Sequence, residues 1–295
     1  MQEPTHIIPT IFVIFGLPGN ILVIILVLRA KEKKSTTTCL LLSLAIADIV
    51  HILGAQILVI LAHHFVHHEK EALLFLLTVP ARIVANFILA LLAFERYNAL
   101  VRTMKPLLNF TRKKVISSVI IAWFTAFIIW LPPIVIRIVN QDVWKHTEGF
   151  NYLIATFGYF IPLVIVIFCY SSIFKGLYFD RTILAETITN HEATLREKKR
   201  LVHVLVIMTL VFVACNLPKI VVVFYHFEKV HHYHVHVPVF ILGCLSSSLN
   251  PYLYALHSEN YRNQVKRLFC KMKEEEKVEE EENVQHSPDT FDTKL

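Results

Sequence analysis

The sequence predicts an all-α membrane protein, a bundle of seven transmembrane helices with its amino terminus outside, and three observations carry that expectation. The 295-residue chain is 55% hydrophobic and only 18% charged, with a mean hydropathy of +0.54, a balance that suits lipid and not a water-soluble domain of this size. A helix needs about 20 mostly apolar residues to span the hydrocarbon, and seven runs have that length, at about 7–28, 38–61, 72–94, 115–139, 152–174, 201–227 and 237–256. The basic residues alternate between loops: Arg29, Lys31, Lys33 and Lys34 follow the first run, Arg102, Lys105, Arg112, Lys113 and Lys114 the third, and Arg181, Arg196, Lys198, Lys199 and Arg200 the fifth. The other loops hold only Lys70, Lys145 and Lys229, so the positive-inside rule puts the amino terminus outside and the carboxyl terminus in the cytoplasm.

Each run carries polar or helix-bending residues at membrane depth, where they cost several kcal/mol (roughly 3 or more for a charge) unless paired, and so mark function. The first has Gly19-Asn20, the second Leu44-Ala45-Ile46-Ala47-Asp48, and the third ends in Glu95-Arg96-Tyr97. The fourth has Trp123 with Pro132-Pro133 beyond it, and the fifth Pro162 with Tyr170 further along. The sixth has Phe212 and then Cys215-Asn216-Leu217-Pro218, and the seventh Asn250-Pro251-Tyr252-Leu253-Tyr254, preceded by Ser246 and Ser247. Asn20, Asp48 and Asn250 are expected to meet at mid-membrane, where a carboxylate needs amide partners. Pro162, Pro218 and Pro251 each remove a backbone hydrogen bond, which lets their helices bend.

Beyond the seventh run, Tyr261, Val265, Leu268 and Phe269 repeat at helical spacing with Arg262, Lys266 and Arg267 on the other face, the pattern of a helix lying on the inner membrane surface over 258–272. Cys270 at its end is a candidate for palmitoylation. The tail, 273–295, is acidic and poor in apolar residues, so it is expected to be disordered, with Ser287, Thr290 and Thr293 as candidates for phosphorylation. Residues 1–257 then form the seven-helix domain. The net charge of +6 lies in short clusters between apolar runs, not along one face, so nucleic acid is not an expected partner. Met1 to Pro9 lacks the basic start and cleavage site of a signal peptide, and the first run is expected to act as its own insertion signal. Four of the five cysteines lie in apolar runs and the fifth is Cys270, so no extracellular disulfide is expected.

This set of residues, in this order, resembles the rhodopsin-like family of G-protein-coupled receptors over nearly the whole chain, in a divergent form nearest to peptide receptors or orphans. The resemblance implies a receptor without enzymatic activity that passes an extracellular signal to a heterotrimeric G protein, with arrestin and receptor kinases as further partners. It implies that Arg96, held at rest by Glu95 beside Tyr97, is released to contact the G protein, while Tyr170 and Tyr254 turn inward to support the open state.

Several positions depart from the family. Glu71 stands where a cysteine usually begins the third helix, and Asn216 replaces the aromatic residue between Cys215 and Pro218. Ala85 takes the place of a hydroxyl in the family's sodium site, so only weak sodium binding near Asp48 is expected and no resident cofactor. Lys198 stands where an acid often pairs with the third-helix arginine, and Glu197 beside it is turned about 100° around the helix. These changes predict a weaker resting lock and raised basal signalling.

In the outer pocket Thr78 replaces the aspartate of amine receptors, and Cys244 replaces the retinal-binding lysine of opsins, which disfavours both ligand classes. Arg82 and Lys219, with His226 and Arg137 nearer the surface, suggest an anionic ligand, a peptide or lipid bearing carboxylate or phosphate, since two buried cations repel unless an anion arrives. Arg82 paired with a local acid, or snorkelling toward the membrane surface, is the alternative. Sixteen histidines include an outer group at His64, His67 and His68 and another at His232 and His234, which suit extracellular zinc or proton sensing as well as plain polar loops.

Those histidines also supply an enzyme alternative. His64-Phe65-Val66-His67-His68 matches the boxes of membrane di-iron desaturases, although the loop charges put it outside and a third box is missing. A small-solute transporter is a further alternative, against which no inverted repeat is visible.

Overall fold

Inside a bilayer no water is available to bond with backbone N–H and C=O groups, so apolar runs of this length close their own hydrogen bonds as helices. The computed structural model describes residues 4–29, 35–64, 68–101, 110–139, 148–179, 192–225, 233–257, 261–268 and 270. They form α1 (Pro4–Arg29), α2 (Thr36–His64), α3 (His68–Leu100) and α4 (Arg112–Val139). An interrupted α5 follows (Glu148–Leu153, Ile154–Phe160 and Ile161–Tyr178), then α6 (Glu192–Phe224) and α7 (Tyr233–His257). A further helix, α8, covers 261–268. The sixth predicted run extends to 227, but α6 ends at Phe224, and 226–232 lie outside the described residues.

Among the described residues six helices are long and apolar enough to cross a membrane, one stretch in each of α1 to α6. The seventh, α7, packs beside α1, α2 and α6. The central helix is α3: 78% of its apolar stretch is buried, against 33% for those of α1 and α4, and it packs on α2, α4 and α5. The outer face of α4 instead exposes Ile120, Ile121, Phe124 and Ile128, side chains that lipid solvates and water would not.

At two of the helical prolines a neighbouring asparagine makes good the lost hydrogen bond. In α5 the stretch Ile154–Phe160 is wound as a wider π turn, and Ile161 N–H donates to Thr156 O, five residues back. Pro162, next in line, has no N–H to give, so the carbonyls behind it are short of donors. Asn86 of α3 supplies one, its Nδ2 donating to Gly158 O at 2.9 Å. In α7 Pro251 leaves the carbonyl four residues back, that of Ser247, without its helical donor. Asn20 of α1 donates to it at 3.2 Å and also to Gly16 O at 2.9 Å.

Close approach of α5 to α3 depends on Gly158, where a Cβ would lie 2.8 Å from Ile83 Cγ1. On α8, Tyr261, Val265 and Leu268 are half-buried while Lys266 and Arg267 are exposed. Burial, with Tyr252 beside it, pushes the Tyr261 phenol up to about 12, so it stays neutral at physiological pH.

Candidate functional site

The polar residues within the bundle fall into two groups, one at mid-depth and one at the end where α3 finishes. At mid-depth Asp48 of α2 is fully buried. Its Oδ2 accepts a 2.6 Å hydrogen bond from Asn250 Nδ2 of α7, and Ser247 and Arg82 are close enough to act on it electrostatically. Arg82 of α3 is only 3% exposed. Its Nη1 donates to Ser247 Oγ at 3.3 Å and its Nη2 to Asn216 Oδ1 of α6 at 3.1 Å. Asn216 uses its own Nδ2 to donate to Phe212 O at 2.8 Å, back along α6. Four helices, α2, α3, α6 and α7, therefore meet through one chain of polar contacts, with α1 joined through Asn20 and the Ser247 carbonyl. Pro218, half-buried, lies two residues beyond Asn216, and Pro251, buried, directly follows Asn250.

This placement differs from the sequence expectation for Arg82, which set it in an outer pocket awaiting an external anion. The guanidinium turns instead toward the amide and hydroxyl that the neighbouring helices offer. The physical reason is that a charge at membrane depth takes the nearest polar partners, and Asn216 supplies a carbonyl where an aromatic ring would have supplied none. Thr78 is buried, and its carbonyl accepts a 3.2 Å hydrogen bond from His51 Nδ1 of α2, which fixes the proton on that nitrogen. Lys219 is half-buried beside Pro218. His226, His67 and His232 lie outside the described residues, as do the side chains of His64, His68, His234, Arg137, Lys198 and Tyr254. Cys270 is exposed.

At the other group, Glu95 and Arg96 stand 3.7 Å apart; of two threonines at the start of α2, Thr36 binds Glu95 and Thr37 binds both. Thr36 Oγ1 donates to Glu95 Oε1 at 2.5 Å, and Thr37 Oγ1 lies 2.9 and 3.0 Å from the two carboxylate oxygens. Arg96 Nη2 in turn donates to Thr37 Oγ1 at 2.6 Å. Glu95 is 9% exposed, whereas the Arg96 side chain keeps 30% of its surface open, so the arginine is held yet reachable. Tyr97 packs its ring 5.8 Å from that of Phe168 on α5. Tyr170 is buried beside a small cavity that it lines together with Leu89, Met208, Phe212 and Asn250, between α3, α5, α6 and α7.

Asn86, His51, Thr36 and Thr37 escaped the sequence reasoning. For Asn86 and His51 the signal was available, since each is a polar side chain in the middle of an apolar run. Thr36 and Thr37 sit in a run of hydroxyls at a helix start, which ordinarily signifies capping and nothing more.

Comparison with known proteins agrees with this architecture. Residues 19–254 match the family described as 7 transmembrane receptor (rhodopsin family). Rhodopsin of Sargocentron punctatissimum is 27% identical over 285 residues, covering 88% of this chain and 79% of that protein. The C-C chemokine receptor type 6 of Mus musculus is 27% identical over 283 residues, covering 85% and 73% respectively. The somatostatin receptor type 5 of Rattus norvegicus is 24% identical over 276 residues, covering 86% and 74%.

Proposed function

Because the chain belongs to the rhodopsin family of seven-transmembrane receptors, and is thus a multi-pass membrane protein, we propose that it carries an extracellular signal across the plasma membrane to a heterotrimeric G protein. The observation that supports this most is Arg96, held between Glu95 and Thr37 at the end of α3 and still partly open to an approaching partner. The loop charges put that end in the cytoplasm and the amino terminus outside. Release of Arg96, with α6 swinging about Pro218, opens a cleft for the G protein, which then exchanges its nucleotide. Tyr170 and Tyr254 turn into that cleft and stabilise it. No covalent chemistry is involved.

The ligand enters from the outer ends of the helices, where Lys219 supplies a cation and Thr78 part of the pocket floor, and it carries an anionic group on a short peptide or a lipid. Arrestin and receptor kinases act on the cytoplasmic side, with α8 lying on the inner leaflet and Cys270 as its lipid anchor. Stimulated nucleotide exchange on purified G proteins tests the function. Wild-type receptor in membranes is expected to accelerate exchange, and Arg96→Ala is expected to lose most of that acceleration while reaching the surface normally. An Arg96→Ala receptor as active as wild type would overturn the assignment of the switch. In the same assay, a response to an anionic ligand that survives Lys219→Gln unchanged would remove Lys219 from the pocket.

A further inference from the structure

Asp48 presents a buried carboxylate at mid-membrane, a place where a small cation such as sodium would be drawn if oxygen atoms were free to surround it. They are not free. Asp48 Oδ2 faces the Asn250 amide, and Ser247 Oγ and Asn216 Oδ1 both accept from the Arg82 guanidinium. Ala85, fully buried on α3, offers no oxygen, and Asn20 points its amide N–H groups, not its carbonyl, at Gly16 and Ser247. Within this pair, Asp48 Oδ1 and Arg82 Nε are the buried atoms that lack a hydrogen-bond partner. A hard cation binds through several oxygen lone pairs, and here those lone pairs are turned toward N–H donors while a fixed positive charge stands beside them. The residues present do not fit a bound sodium ion.

We propose that Arg82 is the built-in counter-cation of Asp48, and that it fills the role a soluble cation would otherwise take in this core. Two opposite charges carried by the chain itself make the core neutral without any ion from solution. They also tie α3 to α6 through Asn216, two residues from Pro218, and to α7 through Ser247. Removing the guanidinium leaves a carboxylate, a hydroxyl and an amide oxygen grouped with no cation, which is the arrangement that sodium accepts.

The test is the unfolding temperature of the purified full-length receptor in about 150 mM sodium chloride and in the same concentration of N-methylglucamine chloride. The wild type is expected to unfold within about 1 °C in the two salts, whereas Arg82→Met is expected to gain about 3 °C from sodium, the shift given by an ion at roughly ten times its dissociation constant. A wild type stabilised by sodium to that extent, or a folded Arg82→Met protein indifferent to it, overturns the proposal. If Arg82→Met does not accumulate, the pair Arg82→Met with Asp48→Asn decides. Recovery of folded protein in the double variant supports mutual neutralisation, and failure to recover refutes it. Neither readout depends on ligand or G protein, so the outcome stands apart from that of the signalling assay.

Discussion

Replacing Asn20 by leucine is expected to destabilise the bundle in proportion to one orphaned carbonyl, and Pro251 determines whether that carbonyl is orphaned at all. Asn20 Nδ2 makes two bonds, to Gly16 O at 2.9 Å and to Ser247 O at 3.2 Å. The first acceptor already has the helical N–H of residue 20, so losing the side-chain bond there costs little. The second has no helical donor, because residue 251 is proline. An unsatisfied carbonyl in an apolar setting costs about 1–3 kcal/mol, while interhelical hydrogen bonds in bilayers average about 0.6 and reach about 1.7 kcal/mol. A loss near 1 kcal/mol follows, which for a chain of this size lowers the unfolding temperature by about 2–4 °C. Pro251→Ala returns a helical N–H to Ser247 O. In that background Asn20→Leu is expected to cost under half as much, so the two substitutions couple by about 0.5 kcal/mol or more in a double-mutant cycle. Thermal unfolding of the four purified proteins measures it. Equal costs in both backgrounds would refute the idea that Asn20 is there to replace the bond that proline removes.

Two further outcomes are expected. Thr37→Val keeps the shape of the side chain and removes the hydroxyl that joins Glu95 and Arg96, and at a part-exposed charged contact the loss is about 1 kcal/mol, or roughly fivefold in the ratio of released to held arginine. Basal nucleotide exchange without ligand is expected to rise by about that factor, and an unchanged basal rate would mean that the threonines do not hold the switch. Gly158→Ala drives a methyl to 2.8 Å from Ile83 Cγ1 and is expected to cost about 1–3 kcal/mol as an overpacked contact. Adding Ile83→Ala removes the colliding atoms and is expected to recover part of that loss in the same unfolding measurement.

Much of this was legible in the sequence because the rules involved are local. Hydrophobic length anticipated a bundle of long helices, since a run of apolar residues in lipid has no alternative to a helix, but not their ends: α6 starts at Glu192, nine residues ahead of the apolar run, and α3 continues to Leu100. The coming together of Asp48 and Asn250 was legible as well, because buried polar groups in lipid have few partners to choose from. Arg82 was not, and the reason is geometric: its charge was evident, but whether a long side chain points outward to a ligand or inward to the core depends on χ angles and on what the opposite helices present. Asn216 was legible as a polar residue of the core, but not as the acceptor that draws Arg82 in. Asn86 was not legible because one amide in a long apolar run carries no partner label, and its partner is the Gly158 carbonyl on another helix, four residues before Pro162.

The two polar groups bear on each other through α3. Arg82 and Arg96 lie on the same helix, fourteen residues apart, so a rotation or shift of α3 moves both. At mid-depth Arg82 grips α6 and α7, and at the far end Thr36 and Thr37 grip Glu95 and Arg96 from α2. In a resting lock built between α3 and α6 at the far end, the bend at Pro218 would break it directly. Among the described residues the far-end contacts run to α2, and the bond between α3 and α6 lies at mid-depth, near Pro218. Motion of α6 is therefore expected to strain the contact between the Asn216 amide and the Arg82 guanidinium, and a displacement of α3 against α2 would carry it on to Arg96. Among the described residues, then, the hydroxyl that holds Arg96 is that of Thr37, with Thr36 holding Glu95 beside it.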